Sequence, residues 1–216
     1  MQSGVITFPG SNCDRDMHDA LSKISSKCHK IWHGDSQLPD NLDFIAIPGG
    51  FSYGDYLRCG SIAANSPIMV EVKKFAKKGG YILGVCNGFQ ILTEAGLLPG
   101  TLLRNKNLKF ICDQVDLEIS NKNTKFTKSY QTQNIILPIA HHDGNYFCDA
   151  ATLKQLEDNQ QIAFKYQNNP NGSVADIAGI FNKEKNILGM MPHPERAIDK
   201  LTGNISGLDL FSSLIG

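Results

Sequence analysis

Several features that mark specialised classes of protein are missing from this sequence of 216 residues. No apolar run reaches the ~18 residues that a membrane span requires, and no basic stretch with an apolar signal segment stands at the N-terminus. Lys plus Arg and Asp plus Glu both total 21, so the formal net charge is zero and attraction to nucleic acids or anionic membranes is not expected. We therefore predict a cytoplasmic protein that binds neither.

The motifs of common cofactor sites are missing as well. The glycine-rich run 49–60 lacks the G-x-x-x-x-G-K-[ST] pattern of a phosphate-binding loop, and no G-x-G-x-x-G opens a helix. No C-x-x-C pair suggests a zinc site or a redox dithiol. We expect no metal and no cofactor on this chain. Its cysteines are expected to be reduced and mostly buried: Cys13, Cys28, Cys59, Cys86, Cys112 and Cys148.

The composition is that of an ordinary globular protein, with 41% apolar, 8% aromatic and 19% charged residues. A chain of this length buries roughly 70% of the surface that its unfolded form exposes, which is enough for a core without disulfide or metal support. The sequence contains no internal repeat and no linker. We therefore expect one compact domain over residues 1–216.

The first half of the chain predicts alternating strands and helices. The apolar runs 43–48 and 80–85 are continuous, as in parallel strands that are buried on both faces. A similar run at 5–8 leads into a turn and a helical pattern, for which Asn12 or Asp14 would provide the cap. Such units build an α/β fold, an open, mostly parallel twisted sheet with helices on both faces.

The second half predicts an antiparallel extension of this sheet. Residues 112–119 alternate between apolar and polar, which indicates a strand with one wet face, and 134–140 is expected beside it. Further strands are expected at 162–166, 174–181 and 187–191, with a closing helix at 206–215.

The segment Gly84-Val-Cys-Asn-Gly88 places a cysteine where a buried strand turns sharply into a helix. The flanking glycines relieve the crowding of such a turn, which is typical of a nucleophile elbow. The unpaired N–H groups of a helix N-terminus favour a thiolate. We therefore predict that Cys86 is a nucleophile, whereas packing as a buried thiol is the better prediction for the other five cysteines.

A second segment, Met190-Met-Pro-His-Pro-Glu-Arg196, ends a predicted strand with an imidazole and a carboxylate two residues apart. Extended backbone places such side chains on the same side. His193 can then take the proton of Cys86 and return it to a leaving amine. Glu195 would fix the tautomer of the imidazole and balance its positive charge.

The order of these residues along the chain disfavours one large class of enzymes. An α/β-hydrolase runs nucleophile, acid, histidine, whereas here the acid comes last. The strand end Ile47–Phe51 is expected at the same edge of the sheet as the elbow. The backbone N–H groups of Gly50 and Asn87 are therefore the expected oxyanion donors.

These motifs carry a resemblance to a known family. The Gly-x-Cys-x-Gly-x-Gln elbow, together with His-Pro-Glu, is similar to the class I (triad) glutamine amidotransferases. Within that family, five segments resemble the glutaminase subunits that serve purine biosynthesis: 8–16, 48–60, 87–92, 169–173 and 189–196. The resemblance covers essentially the whole chain and implies a single glutamine amidotransferase domain over 1–216.

The resemblance implies an activity and a set of partners. Glutamine would be hydrolysed to glutamate and ammonia, and the ammonia would pass to a synthetase that converts formylglycinamide ribonucleotide to formylglycinamidine ribonucleotide. The partners would be a large synthetase subunit, carrying ATP and magnesium, and a small bridging subunit. Cys86 would be the nucleophile, His193 the general base and acid, and Glu195 its orienting group.

Contacts with glutamine are implied at Gly49, Phe51, Gln90 and His141. Gln90 lies one helical turn beyond Cys86, and the alternative for it is an ordinary surface position on the helix. One segment departs from the family pattern Pro-Ile-Ala-His-Gly-Glu-Gly, because residues 138–144 read Pro-Ile-Ala-His-His-Asp-Gly. The departure changes the side chains that this loop offers to glutamine or to a partner.

The loop Tyr53–Arg58 is expected to dock a partner or to gate the site. Two other functions stay open from the sequence. One is a stand-alone cysteine hydrolase on a similar sheet, which would need no partner for its activity. The other is a catalytically silent interaction or redox-sensing subunit in which Cys86 is merely oxidisable.

Overall fold

The computed structural model describes residues 1–215, which form one large sheet, one small sheet and five helices. The strands are β1 (Gln2–Thr7), β2 (Lys27–Trp32), β3 (Phe44–Ile47), β4 (Tyr81–Val85), β5 (Thr101–Leu103), β6 (Ile111–Ile119), β7 (Asn134–His141), β8 (Asn145–Phe147), β9 (Ile162–Tyr166), β10 (Ile177–Phe181) and β11 (Ile187–Met190). The helices are α1 (Asp14–Ser22), α2 (Pro67–Lys77), α3 (Asn87–Glu94), α4 (Ala150–Asp158) and α5 (Leu208–Ile215).

The large sheet has nine strands in the order β2-β1-β3-β4-β11-β10-β9-β6-β7. The strands from β2 to β11 in this order pair in parallel, and those from β11 to β7 pair antiparallel. The small sheet pairs β5 with β8. The predicted α/β fold with an antiparallel extension is confirmed.

Burial explains why the two halves of the sheet have different sequence patterns. Strand β3 is buried at all four positions, and β11 is as well, because both lie in the middle of the sheet with cover on each face. Along β6 the buried residues Val115, Leu117 and Ile119 alternate with exposed ones, so this strand turns one face to water. Its register with β7 sets Val115 opposite Leu137 and Leu117 opposite Ile135.

Some local predictions were wrong. Helix α1 follows Cys13 without a side-chain cap, so neither Asn12 nor Asp14 caps it. Residues 174–176 form a 3₁₀ turn, because Ala175 lies at φ +50° and cannot continue a strand.

The burial expected of the cysteines is only partly found. All six are free thiols, and Cys13, Cys86 and Cys148 are buried. Cys112 is exposed because it lies on the wet face of β6, and Cys28 and Cys59 are only partly covered. Among the helices described in residues 1–215, none is both long and apolar enough to cross a membrane.

The parallel half of the sheet brings the candidate residues to one edge. Strands β1, β3, β4 and β11 run in the same direction, so the segments that follow them meet beyond their carboxyl ends. These segments contain the turn up to Cys13, the glycines Gly49 and Gly50, the elbow at Cys86, and the His193–Glu195 segment. The topology therefore places the predicted functional residues together.

The elbow glycine Gly88 is required by the close approach of α3 to β3. A Cβ atom at this position would overlap the carbonyl oxygen of Ile47. We expect Gly88→Ala to lower the free energy of unfolding by about 3 kcal/mol, the upper end of the usual overpacking range. Urea unfolding measures this loss.

Gly96→Ala is the matched control, because a Cβ there meets no atom within 4 Å although φ is +70°. Its cost should be limited to the backbone term of about 1 kcal/mol. Equal losses in the two variants would contradict the packing explanation for Gly88.

Candidate active site

Cys86 sits at a strained turn between β4 and α3. Its backbone has φ +52° and ψ −107°, a conformation that non-glycine residues rarely adopt. The strand ends at Val85 and the helix starts at Asn87, so the cysteine side chain projects from the corner. Its sulfur lies 3.7 Å from the carbonyl oxygen of Ala140, and the residue is 6% exposed. The strand-to-helix turn predicted from the flanking glycines is present.

His193 and Glu195 form a buried pair beside this corner. The His193 Nδ1 donates to Glu195 Oε1 at 2.6 Å, and both side chains are almost fully buried. The His193 N–H donates to the carbonyl oxygen of Pro138 at 2.8 Å, which ties the segment to β7. Because Nδ1 is engaged, Nε2 is the ring atom left for chemistry, and it has no protein partner among the described residues.

The surroundings of His193 favour its protonated form. Burial by itself would lower the pKa of this imidazole, but the charge of Glu195, together with the nearby sulfurs of Cys86 and Cys13, raises it well above its ordinary value. An imidazolium next to a thiol stabilises the thiolate. The pair is thus arranged to accept a proton from Cys86 and to donate it later.

The two glycines after β3 lie against this group. A Cβ on Gly49 would stand 2.7 Å from His193 Cε1 and 3.4 Å from Cys86 Cβ, so only glycine fits there. Gly50 has φ +144°. The Ser52 N–H donates to Asn87 Oδ1 at 3.2 Å and joins this turn to the start of α3. Gly50 and Asn87 therefore lie on two joined segments, and their role as oxyanion donors stays a prediction.

The structure changes the interpretation of Gln90. It is 5% exposed, so the surface alternative is wrong. Its Oε1 accepts from Asn87 Nδ2 at 2.8 Å and its Nε2 donates to the carbonyl oxygen of Asp143 at 2.7 Å. Gln90 thus joins α3 to the loop after β7. Phe51, by contrast, is 45% exposed at the rim.

His141 is buried, and its tautomer follows from its neighbour Asn105. Asn105 Nδ2 donates to the carbonyl oxygens of Lys109 and His141, so Oδ1 is the acceptor atom that faces the ring. That oxygen also accepts from the Gly144 N–H, and it lies 3.1 Å from His141 Nδ1, which must therefore carry the proton. His141 Nε2 is a buried acceptor that has no protein partner among residues 1–215.

Burial and the nearby His193 lower the pKa of His141 to about 4. The pKa values of the two imidazoles are therefore shifted in opposite directions from the ordinary histidine value, and His141 stays neutral when His193 is charged. Nothing in the sequence was a reason to select Asn105, because a lone asparagine after a short strand does not indicate that it fixes the tautomer of a histidine.

Within segment 138–144, Asp143, which departs from the family pattern, contacts residues of two other loops. Asp143 lies 3.5 Å from Arg104 Nε and 3.5 Å from His142 Nδ1, and it accepts from the thiol of Cys59 at 3.4 Å. Burial, together with Asp55 and Asp143, raises the pKa of the Cys59 thiol, so it stays protonated and able to donate. Asp143 thus joins the loop after β7 to the loop that contains Tyr53–Arg58.

The Tyr53–Arg58 loop is exposed and locally strained. Tyr56 is 74% exposed and Leu57 is 92% exposed. Tyr53, Asp55 and Leu57 all have positive φ, so the loop keeps its shape against the backbone preferences of these residues. Its role in docking or gating stays a prediction.

Cys13 is a part of the site that the sequence did not reveal. Its side chain was predicted to be an inert buried thiol, but its sulfur, a ring nitrogen of His193 and an oxygen of Glu195 all lie within 4.8 Å of one another. These are metal-ligand types, yet Arg196 Nη2 donates to the Cys13 sulfur at 3.0 Å, and this positive charge disfavours a cation. One signal in the sequence could have revealed this position of Cys13: it follows a predicted parallel strand, so it lies at the same edge of the sheet as the other candidate residues.

A large cavity among the described residues lies away from this group. It measures about 1070 Å³, and its lining includes Ala76, Leu98, Leu156 and Ile187, next to where β4 and β11 begin. Ligands of such sheets bind beyond the opposite, carboxyl ends of the strands. The chemistry of the Cys86 group, and not cavity size, therefore identifies the candidate site.

Comparison with known proteins gives a consistent set of relatives. A sequence model of the CobB/CobQ-like glutamine amidotransferase domain matches residues 2–209. The phosphoribosylformylglycinamidine synthase subunit PurQ of Ruegeria sp. (strain TM1040) is 55% identical over 217 residues, covering 100% of this chain and 98% of the relative. The PurQ protein of Novosphingobium aromaticivorans is 54% identical over 215 residues, covering 99% and 96%.

Solved structures support the same fold. The structure of PurLQS from Thermotoga maritima contains a chain that matches with a TM-score of 0.90 and 42% identity, covering 99% of this chain and 97% of that one. A glutamine amidotransferase from the same organism matches with a TM-score of 0.59 at 15% identity, covering 90% of this chain and 76% of that one. The second match supports the fold alone.

The lowered pKa of His141 predicts a pH dependence of stability. The unfolded state binds a proton at this residue below about pH 6.5, whereas the folded state does so only below about 4. Stability therefore falls as the pH decreases through this window, by up to about 3 kcal/mol. His193 adds no slope there, because it is protonated in both states below its unfolded pKa.

Urea unfolding between pH 4.5 and 7.5 tests this prediction. We expect His141→Asn to flatten the dependence in this window relative to the native chain. His18→Asn, on the partly exposed face of α1, is the control and should keep the native slope. An unchanged slope in His141→Asn would show that His141 is not the group responsible.

Proposed function

The chain belongs to the CobB/CobQ-like glutamine amidotransferase family, and from this premise we propose that Cys86, His193 and Glu195 are its glutaminase triad. The chain is the glutamine-hydrolysing subunit of a synthase that makes formylglycinamidine ribonucleotide in purine biosynthesis. The observation that carries the assignment of residues is the buried Nδ1–Oε1 contact of 2.6 Å between His193 and Glu195, next to the strained elbow at Cys86.

The proposed reaction starts when the Cys86 thiolate attacks the side-chain amide carbon of glutamine. The negative charge that develops on the amide oxygen is stabilised by the N–H groups of Gly50 and Asn87. His193 Nε2 gives its proton to the departing nitrogen, and ammonia leaves behind a thioester on Cys86. His193 then takes a proton from water, which attacks the thioester and releases glutamate.

Substrate recognition is assigned to the groups around the triad. Gly49 allows the close approach of the substrate to Cys86, and Phe51 stands at the rim. Neutral His141 offers Nε2 as an acceptor for an amide N–H, whereas both ends of Gln90 are engaged by the protein, so we assign it the placement of the 141–144 loop. We treat residues 1–216 as a single glutamine amidotransferase domain.

The ammonia produced here is used by a partner. The synthase of the relatives is assembled from several subunits, as the PurLQS structure from Thermotoga maritima indicates, and the partners of this chain correspond to PurL and PurS. We assign ATP and magnesium to the large synthetase subunit, with a bridging role for the small one. This chain needs no cofactor for the proposed steps, and we place its work in the cytoplasm.

The partner also gives a reason for control of the glutaminase. Free ammonia is largely protonated at neutral pH and is then no nucleophile, so an enclosed path to the synthetase keeps it reactive. The exposed Tyr53–Arg58 loop is joined to the 141–144 loop through Cys59 and Asp143, which makes it suited to sense docking. We expect slow glutamine hydrolysis by the isolated chain.

The two other functions make different demands on the site. A stand-alone cysteine hydrolase would turn over glutamine or another substrate at full rate without partners. A silent or redox-sensing subunit would not be labelled stoichiometrically at Cys86 by an electrophilic glutamine analogue, nor protected by glutamine. The buried His193–Glu195 pair favours the glutaminase over the silent subunit, because burying such a pair is costly without a task for it.

Replacement of Cys86 by Ala tests the proposal in the reconstituted synthase. We expect glutamine-driven synthesis to fall by at least about a thousandfold, because the nucleophile is gone. Synthesis from ammonium salt should survive, because it bypasses this site. Product formation is measured with each nitrogen source, and equal loss of both would assign Cys86 to folding or assembly instead.

Glu195→Gln and His193→Ala should differ in severity. We expect Glu195→Gln to lower glutamine-driven synthesis by less than His193→Ala does, because the imidazole is still present in Glu195→Gln. In that variant the imidazole is less well oriented and its positive charge is less well balanced. Steady-state rates with saturating glutamine give the comparison, and thermal unfolding controls for misfolding. A larger defect in Glu195→Gln would contradict an orienting role.

A further inference from the structure

A second thiol lies beside the proposed triad, and the reaction scheme does not use it. Cys13 is 2% exposed and stands directly before α1, where its N–H donates to the carbonyl oxygen of Gly49 at 3.3 Å. A Cβ on Gly49 would lie 3.1 Å from the Cys13 sulfur and 2.7 Å from His193 Cε1. Cys13 and His193 therefore contact the same small residue.

The Cys13 sulfur is fully engaged in hydrogen bonds. It accepts from Arg196 Nη2 at 3.0 Å, and its thiol donates to Asn12 Oδ1 at 3.2 Å. Arg196 Nε donates to Asp16 Oδ2 at 3.2 Å. Burial alone would lower the pKa of Arg196, but Cys13, Glu195 and Asp16 raise it, so the guanidinium stays charged.

The Glu195 carboxylate is a second acceptor to which the Arg196 guanidinium can donate. Glu195 precedes Arg196 in the chain, and only its Oε1 is engaged, by His193 at 2.6 Å. Its Oε2 is buried and has no partner among the described residues. A guanidinium pairs strongly with a carboxylate and can contact both oxygens. Without another acceptor, Arg196 would compete with His193 for Glu195.

We propose that Cys13 is a positioning residue of the glutaminase site, whose sulfur, together with Asp16, holds the Arg196 guanidinium away from Glu195. The carboxylate then stays committed to His193, and the imidazolium keeps the counter-charge that it needs beside Cys86. This inference rests on the proposed function, because it gives Cys13 a task only if Glu195 and His193 serve Cys86.

Several charged or titratable groups face His193, and the proposal concerns one of them. They are Glu195 from the same segment, Cys13 from the start of α1, Cys86 from the elbow and His141 from β7, whereas Arg196 and Asp16 lie behind Cys13, with Arg196 bonded to both Cys13 and Asp16. If Arg196 moved onto Glu195, the imidazolium would lose part of its stabilisation while the other groups stayed in place. The thiolate of Cys86 would then form only at higher pH.

The pH dependence of Cys86 alkylation measures this effect in the full-length chain. Uncharged iodoacetamide is applied over a range of pH, and modification of the Cys86 peptide is followed by mass spectrometry. For Cys13→Ala we expect the midpoint of the curve to rise by about one pH unit, which corresponds to a tenfold lower ratio of thiolate to thiol at a given pH. Cys13→Ser should stay near the native curve, because its hydroxyl oxygen can accept from Arg196.

Removal of the Arg196 charge is the decisive part of the experiment. In Cys13→Ala combined with Arg196→Gln, the midpoint should return to the native value, and Arg196→Gln alone should leave it there. Cys13→Val, which fills the space of the thiol without an acceptor, repeats the measurement if the alanine variant does not fold. An unshifted curve in the non-acceptor variants, or a shift that Arg196→Gln does not reverse, would overturn the proposal.

This experiment uses neither glutamine nor a partner, so its result is separable from that of the synthase assay. If glutamine-driven synthesis survived in Cys86→Ala, the proposed function would fail whatever the alkylation curves showed. If that assay gave the expected result and the curves did not move, only the role of Cys13 would be wrong.

Discussion

The structure depends on one buried ion pair, formed by His193 and Glu195. Their side chains are 2% and 0% exposed, so the negative charge of the carboxylate cannot be stabilised by water. A buried carboxylate is costly unless a charge partner and hydrogen bonds compensate for the loss of hydration. The compensation here is the proton on His193, which explains why burial fails to lower the pKa of this imidazole. The proposed reaction uses this imidazolium as its proton donor.

The surrounding groups are arranged so that the positive charge stays on His193 before the reaction. His141 is kept neutral by burial and by the nearby imidazolium, and Asn105 fixes which of its nitrogens carries the proton. Gly49 lets backbone approach where any side chain would displace His193. In our proposal, Cys13 keeps the Arg196 guanidinium from pairing with the Glu195 carboxylate. Cys13 thus acts on the reacting sulfur only through His193, whereas Gly49 and His141 also have proposed roles toward glutamine.

A network of hydrogen bonds extends from this centre to the exposed loops. Gln90 joins the helix that follows Cys86 to the backbone of Asp143, and the Asp143 carboxylate accepts from Cys59 in the glycine-rich loop. The network therefore joins the glycine-rich loop to the helix that positions the nucleophile. In our proposal, this connection is the route by which a docked synthetase subunit controls hydrolysis.

The sequence by itself determined the sheet and the residues that carry the chemistry. Continuous apolar runs, alternation after Phe110 and the Gly-x-Cys-x-Gly elbow are local patterns, and each predicts its structure from neighbours along the chain. Only the tertiary structure decided the tasks of Cys13, Asn105 and Gln90. Their partners Arg196, His141 and Asp143 lie between 36 and 183 residues away in sequence. Such contacts depend on strand order and on which segments meet at one edge of the sheet, and no local pattern records that.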